Sequence, residues 1–109
     1  MNEKLRSALG FAMKAGKVKS GEVAAEAALR GGKAKIAVID ASSSERAKKH
    51  WSDMCNNAGV PLVEAEEPGR AIGRAAHMIA CITDNGFAQM VLRSIENKPE
   101  NGGAANGKE

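Results

Sequence analysis

The apolar residues of this chain alternate between helical spacing and short continuous runs. Helical spacing returns an apolar side chain to one face every three or four residues, whereas a short continuous run suits a strand covered on both faces. The predicted order is helix 2–15, extended piece 17–19, helix 22–30, strand 36–39, helix 43–58, strand 60–63, a short helix opened by Pro68, strand 78–82 and helix 85–96. Alternation of this kind favours an α/β fold, which we predict to be a three-layer α/β/α sandwich on a mostly parallel four-stranded sheet.

Polar residues and glycines mark the predicted helix ends. Asn2, Ser20 and Asp84 are placed to cap helices, and Ser42 together with Glu45 matches a capping box. Glycine tolerates the left-handed backbone that closes many helices, and glycines stand at positions 16, 31, 32 and 59, where the helical patterns stop. These signals set the predicted boundaries.

The length of 109 residues suits one hydrophobic core. We assign residues 1–96 to a single domain and predict a disordered polar tail at 97–109, which contains no large apolar residue. A formal net charge of +3 is too small to favour disorder of the whole chain. No apolar run approaches the ~18 residues of a membrane span and the first residues lack a signal peptide, so we expect a cytoplasmic protein without a membrane partner, and a monomer.

The sequence lacks the patterns that mark metal and catalytic sites. Cys55 and Cys81 form no C-x-x-C motif, which predicts two reduced, buried thiols, and His50 and His77 have no second ligand at metal-binding spacing. We found no phosphate-binding Walker motif and no nucleophile elbow. We therefore predict a protein that is not an enzyme and that needs no cofactor.

Positive charge is concentrated in the first half of the chain. Residues 1–55 hold 11 basic and 6 acidic side chains, and residues 56–109 hold 5 and 7. A local basic excess attracts polyanions, although such residues also serve as an ordinary solvated surface. The helix start at 20–22 could add backbone N–H groups for phosphate. The candidate binding residues here are Lys14, Lys17, Lys19, Ser20, Gly21, Glu22, Arg30 and Lys33.

A second candidate segment runs from Pro68 to Arg74. Arg70 and Arg74 are four residues apart, so a helix would place them on one face, beside glycines that allow another backbone to approach closely. Arginine suits phosphate and base edges, although both could instead pair with neighbouring glutamates. The three aromatic residues all appear on apolar stripes, which disfavours binding of single strands by stacking.

Several segments resemble the kink-turn-binding ribosomal protein family that includes ribosomal proteins L7Ae and L30e, and particularly its small bacterial YlxQ-like branch. The resemblance covers about residues 5–96 in order. It rests on Leu9-Gly10-Phe11-Ala12, Ala15-Gly16-Lys17, Ser20-Gly21-Glu22, the segment 28–35, Asp40-Ala41-Ser42-Ser43, the segment 55–61, Gly69-Arg70-Ala71-Ile72-Gly73 and Thr83-Asp84-x-Gly86-Phe87-Ala88.

The resemblance implies an α/β/α sandwich that binds structured RNA, such as ribosomal RNA or a kink-turn-like element, in association with ribosomes or with transcription or translation machinery. Family members carry Gly-x-Asn-Glu-x-x-Lys at the start of the second helix. This chain keeps Gly21 but has Val23, Ala24 and Ala27 at the three positions that read bases. We therefore expect backbone and phosphate contacts with reduced base readout. The alternatives are a protein-interaction adaptor, or an RNA-recognition domain of a larger transcription-termination factor or RNA methyltransferase.

Overall fold

The computed structural model describes residues 2–96, with the side chain of residue 96 excepted. Five helices alternate with four strands along this part of the chain. In order they are α1 (Glu3–Lys14), β1 (Val18–Ser20), α2 (Glu22–Arg30), β2 (Ile36–Asp40), α3 (Glu45–Ala58), β3 (Leu62–Ala65), α4 (Pro68–Ala71), β4 (Ile79–Ile82) and α5 (Asn85–Glu96). The α/β class is confirmed. The predicted disordered tail, 97–109, lies outside the described residues.

The four strands form one sheet in the order β1-β4-β2-β3. Among neighbouring strands only the pair β2–β3 is parallel, and β4 runs antiparallel to both of its neighbours, so the prediction of a mostly parallel sheet is wrong. A parallel connection needs a long crossover that returns the chain to the starting end. The connection from β3 to β4 contains only the four-residue α4, and β4 therefore starts at the end of the sheet where β3 stops.

Helices cover both faces of the sheet, which confirms the three layers. On one face, α1 and α5 pack against β2 through a core that includes Leu9, Val38 and Val91. On the other face, α2 and α3 pack through a core that includes Leu29 and Trp51. Every residue of β2 is buried, as its continuous apolar run predicted. Within the described residues, no helix is long and apolar enough to cross a membrane.

Most predicted helix boundaries agree with the structure. The side chain of Asn2 accepts a hydrogen bond from the Leu5 N–H at 2.7 Å, and Asp84 accepts one from Phe87 at 3.0 Å. The predicted cap at Ser42 is wrong, because Ser44 caps α3. Both the N–H and the hydroxyl of Ser42 instead donate to a carboxylate oxygen of Asp40, two residues earlier.

The two cysteines are free and buried, as predicted. Cys81 lies in β4, beneath α2, and its thiol donates to the carbonyl oxygen of Ala25 at 3.7 Å. Burial, and then the neighbouring Cys55 thiol, raise the pKa of Cys81 to about 12. Burial also raises the pKa of Cys55. Both thiols are therefore protonated at neutral pH.

Candidate functional site

The two ends of the sheet differ in the groups they present. Strands β1, β2 and β3 all finish at one end, where α2 begins at Gly21 and α3 begins after Ser44. We call this the cavity end, defined by Gly21, Ser43 and His77. The opposite end carries the lysines at positions 14, 17, 33 and 35, and we call it the lysine end.

A cavity of about 480 Å³ opens at the cavity end. The loop that precedes β4 forms one wall, and the starts of α2 and α3 form the others. Trp51, which is 5% exposed, contributes to the apolar part of the lining. The lining residues are Gly21, Glu22, Ile39, Ser43, Ser44, Ala47, Trp51, Ala76, His77, Met78 and Ile79. A space of this size with apolar walls and a few polar groups is typical of a small-ligand or nucleobase pocket.

Gly21 shapes the entrance to this cavity. Its φ of +88° is a backbone conformation that side-chain-bearing residues rarely adopt, and an added Cβ would lie 3.3 Å from the His77 ring. The Gly21 N–H donates to the carbonyl oxygen of Ile79, which fixes the start of α2 against β4. Among residues 2–96, no side chain caps α2. The N–H groups of its first turn therefore have no side-chain partner and are available to an anion, and the Glu22 carboxylate in the same turn opposes part of that attraction.

Ser20 has a different role from the one predicted. It is the last residue of β1 and does not cap α2. Its hydroxyl forms a hydrogen bond of 2.8 Å with Nδ1 of His77. This bond connects the start of α2 to the loop that closes the cavity, and so holds the two walls at a fixed spacing.

Ser43 lines the cavity and contains a buried polar group without a partner within residues 2–96. The residue is 9% exposed, and its hydroxyl oxygen is buried without a hydrogen-bond partner among the residues that the structure describes. A buried hydroxyl normally has a partner, because an unmade hydrogen bond costs about 1–3 kcal/mol.

The structure separates the basic residues that the sequence predicted to act together. Lys14, Lys17, Arg30 and Lys33 lie at the lysine end, because α1 and α2 both finish there. Lys19 is exposed in the middle of β1, between the two ends. Lys14 and Lys17 therefore lie at the opposite end of the sheet from the N–H groups at Gly21, and a meeting of lysine side chains with these groups stays a prediction for Lys19 alone.

Arg70 and Arg74 do not share a helical face, because α4 ends at Ala71. Arg70 pairs with Glu67 at 3.3 Å, and both side chains are largely exposed. Arg74 is exposed in the loop that leads to His77, and its carbonyl oxygen accepts a hydrogen bond from the His77 N–H. Only Arg74 thus belongs to the segment that forms the cavity wall.

Two apolar side chains, Phe11 and Val23, are more than half exposed. Phe11 is 52% exposed, so the prediction that it joins the apolar stripe of α1 is wrong. The buried stripe is Leu5, Ala8, Leu9 and Ala12. Val23, in the first turn of α2, is 87% exposed beside the cavity end.

Sequence reasoning selected Gly21 and Glu22 but missed the other residues that line the cavity. Ser43 and Met78 carry no motif of their own, and His77 was set aside because no other ligand stood near it in sequence. The partner of His77 is Ser20, 57 positions earlier. Only the resemblance, which included Ser43, gave a signal. Within residues 2–96, no group of three His, Cys, Asp or Glu side chains could hold a metal ion.

Comparisons with known proteins agree with this architecture. "RNA-binding protein YlxQ" of Bacillus subtilis (strain 168) is 33% identical over 91 residues, covering 81% of this chain and 91% of that protein. "RNA-binding protein YlxQ" of Enterococcus faecium is 35% identical over 97 residues, covering 86% and 93%. These relatives support the prediction of a non-enzymatic protein and of a YlxQ-like branch.

Solved structures show the same fold. A protein of unknown function from Bacillus halodurans matches with a TM-score of 0.81 and 25% identity, over 88% of this chain and all of that one. The 15.5kD RNA binding protein of Giardia lamblia matches with a TM-score of 0.70 and 21% identity, over 88% of each chain. The family model of the ribosomal protein L7Ae/L30e/S12e/Gadd45 family matches residues 3–92. The chain therefore belongs to this family.

Proposed function

We propose that the protein binds structured RNA at the cavity end. A phosphate group would accept hydrogen bonds from the first N–H groups of α2, and an unpaired nucleotide next to it would enter the cavity. Phosphate contacts position an RNA without reading its sequence, and unpaired bases are the part of an RNA that protein pockets can enclose. The RNA is held mainly by backbone groups and by shape.

The observation that carries this proposal is the position of the uncapped start of α2 at the entrance to the 480 Å³ cavity. A site for an anion and a cavity for a flat group are therefore adjacent. Ser43 also lines this cavity, and its buried hydroxyl has no partner among the described residues.

The relatives named as RNA-binding proteins support the same proposal. The three positions that family members use to read kink-turn bases are Val23, Ala24 and Ala27 here, and none offers a polar side-chain group. We therefore propose weak discrimination between a kink-turn and other structured RNAs. A ribosomal RNA, or a transcript bound near the translation machinery, is the proposed partner in the cell.

The Ser43→Ala variant tests the proposal, because binding and folding should respond in different directions. Removing an unsatisfied hydroxyl should leave the free energy of unfolding unchanged or raise it. Loss of a hydrogen bond to RNA should weaken binding about three- to tenfold, since such a bond contributes roughly 0.5–1.5 kcal/mol. Fluorescence anisotropy with a kink-turn RNA measures affinity, and Trp51, the single tryptophan, reports occupation of the cavity.

Ser52→Ala is the matched control, because Ser52 lies on α3 but does not line the cavity. Its RNA affinity should equal that of the unmodified protein. Equal affinities for Ser43→Ala and Ser52→Ala would contradict the placement of RNA in the cavity. An absence of RNA binding by the unmodified protein would contradict the function itself. Crosslinking in cells, followed by sequencing of the attached RNA, identifies the partner.

A further inference from the structure

Strand pairing in the sheet sets the positions of two lysines at the lysine end. Val18 of β1 and Ile36 of β2 both pair with Ile82 of β4, from opposite sides. Lys17 and Lys35 immediately precede these two residues, so they lie on either side of Thr83. The backbones of the two lysines are therefore roughly 10 Å apart, which is the width of two strand spacings. The Lys17 carbonyl oxygen accepts the Thr83 N–H at 2.9 Å, and the Lys35 N–H donates to Ile82 at 2.7 Å. The spacing of the two lysines is thus fixed by the sheet.

Two further lysines extend this surface. Lys14 is in the last turn of α1, and Lys33 follows α2, with its N–H bonded to the Ala28 carbonyl oxygen at 2.9 Å. All four lysines are exposed, and within residues 2–96 none of them forms an ion pair. Arg30, which is nearby, pairs with Glu26 at 2.8 Å. The four ammonium groups are therefore available to a partner.

Negative charge at this end is small. The segments that form it, residues 14–18, 30–36, 58–61 and 82–86, contain Asp84 as their one carboxylate. Asp84 already accepts the Phe87 N–H as the cap of α5. The carboxyl ends of α1, α2 and α3 contribute partial negative charges of about half a unit each, which Lys14 and Arg30 offset for their own helices. Lys17, Lys33 and Lys35 remain as surplus positive charge.

The lysine end and the cavity end are separate surfaces. Helix α2 runs from one to the other, and its nine residues span about 13 Å. One phosphate group therefore cannot contact both the entrance of the cavity and the lysines. A polyanion that occupies both surfaces must do so with two separate segments.

We propose that the lysine end binds the phosphate backbone of a second RNA segment, so that the protein holds two segments at opposite ends of its sheet. Lysine is a phosphate ligand that acts as a point charge and does not read bases, so this contact is independent of sequence. The exposed Phe11 stands one helical turn before Lys14 and offers a ring on which a base at the margin of that segment can stack. The holding of two segments rests on the proposed function, whereas phosphate binding at the lysine end does not.

A charge-reversal pair tests the surface. Lys17→Glu with Lys35→Glu removes two ammonium groups, and Lys4→Glu with Lys49→Glu makes the same change in net charge at exposed helix positions elsewhere. The probe is a short blunt RNA duplex, followed by anisotropy at several salt concentrations. We expect the first variant to lose at least tenfold in affinity at low salt, and its slope of log affinity against log salt to become shallower by roughly 1 to 2 units. The control should keep both values.

Equal losses in the two variants would overturn the proposal, since they would show a general effect of net charge. Displacement of the duplex by polyglutamate at equal charge would overturn the assignment to RNA in favour of an acidic protein segment. The holding of two segments is tested with a donor-labelled kink-turn RNA and an acceptor-labelled duplex. Energy transfer should appear with the unmodified protein and disappear with Lys17→Glu, Lys35→Glu.

Trp51 fluorescence separates this proposal from the previous one. The kink-turn RNA should change it equally in the unmodified protein and in Lys17→Glu, Lys35→Glu, because the cavity is untouched. If Trp51 does not respond to RNA in either protein, the cavity-end function fails. Loss of duplex affinity in the lysine variant alone would then still support phosphate binding at the lysine end. The two failures are therefore distinguishable.

Discussion

The two proposed binding surfaces at the ends of the sheet would attract anions by different physical means. At the cavity end, the attraction comes from backbone groups at the starts of two helices, which are fixed in place by Gly21 and the hydrogen bond between Ser20 and His77. At the lysine end, three helices finish, so the backbone contributes the opposite sign, and the positive charge belongs to lysine side chains. The difference indicates a geometry-dependent site at one end and a charge-dependent surface at the other.

This contrast determines how each end should respond to change. A backbone site is lost when the loop that closes it moves, and it is less sensitive to salt because few mobile charges are involved. A lysine surface tolerates movement of several ångströms because its side chains are long, but it depends on net charge and on salt. Mutations that displace a loop and mutations that reverse a charge should therefore separate the two ends.

The largest expected effect is from Gly69→Ala, which should damage the cavity end alone. Gly69 is buried in α4, and an added Cβ would collide with the carbonyl oxygens of Arg74 and His77. The loop that carries His77 must then move, and overpacking of this kind costs about 1–3 kcal/mol. We expect lower stability in urea and a loss of kink-turn affinity of more than tenfold, whereas the affinity of the short duplex for the lysine end should stay the same.

Gly10→Ala is the control for this variant. Gly10 lies in α1 beside α4, and its added Cβ would meet the Ala71 carbonyl oxygen at an ordinary distance of 3.7 Å. Alanine is favoured over glycine inside a helix by roughly 0.5–1 kcal/mol, so this variant should be as stable as the unmodified protein or more stable. A Gly69→Ala protein that keeps its kink-turn affinity would show that the loop does not form the binding site.

A smaller effect is expected from restoring polar side chains at the start of α2. Val23→Asn, Ala24→Glu and Ala27→Lys together should raise the preference for a kink-turn over an unkinked control by about tenfold, or roughly 1.4 kcal/mol. The residues are suitably placed, since Val23 and Ala27 are exposed on the first turns of α2. Anisotropy with the two RNAs measures the preference.

Ala27→Lys alone distinguishes base readout from added charge. Without polar side chains at positions 23 and 24, a single ammonium group should act mainly through its charge, strengthening binding to both RNAs by a similar factor and changing the preference little. If the triple variant also strengthens both RNAs equally, the start of α2 does not face the bases. That result would favour a kink-turn contact at Arg74 and the loop that contains it.

The fold was largely predictable because each element has a local signal. Helix α2 and strand β2 were predicted nearly residue for residue, from an apolar stripe between glycines and from a continuous apolar run. Strand β3 was placed two residues too early, since the apolar run starts at Val60 but Pro61 has no N–H for the ladder. The direction of β4 depends on the length of a connection and on pairing partners, which no local pattern encodes.

The candidate site was less predictable, because it is assembled from distant segments. Charge counted along the chain combined Lys14, Lys17 and Gly21 into one surface, whereas the short strand β1 carries the chain from one end of the sheet to the other between them. The contact of His77 with Ser20 likewise depends on the path of the chain. Phe11 is different, since its position outside the stripe of Leu5, Leu9 and Ala12 follows from helical spacing alone.

The smallest expected effect tests whether the two ends of the sheet unfold together. Cys81 sits in β4, which pairs with β1 and β2 along the whole distance between the ends. Its pKa is about 12 in the folded protein against an ordinary value of 9.0, so the folded state keeps the proton more tightly than the unfolded chain. The stability linked to this thiol is complete below pH 9 and is lost as the pH rises from 9 towards 12.

We therefore expect the free energy of unfolding to fall by about 1 kcal/mol between pH 8 and pH 10 through this group. The lysines also lose charge in this range, so the comparison is with Cys81→Ala, in which the thiol contribution is absent and the fall should be smaller by that amount. Urea unfolding followed by Trp51 fluorescence and by circular dichroism provides the measurement. Because the thiol lies in the shared strand, both signals should shift together. If the Trp51 fluorescence signal shifted without the circular dichroism signal, the cavity end would unfold independently. The two ends would then differ in stability as well as in chemistry.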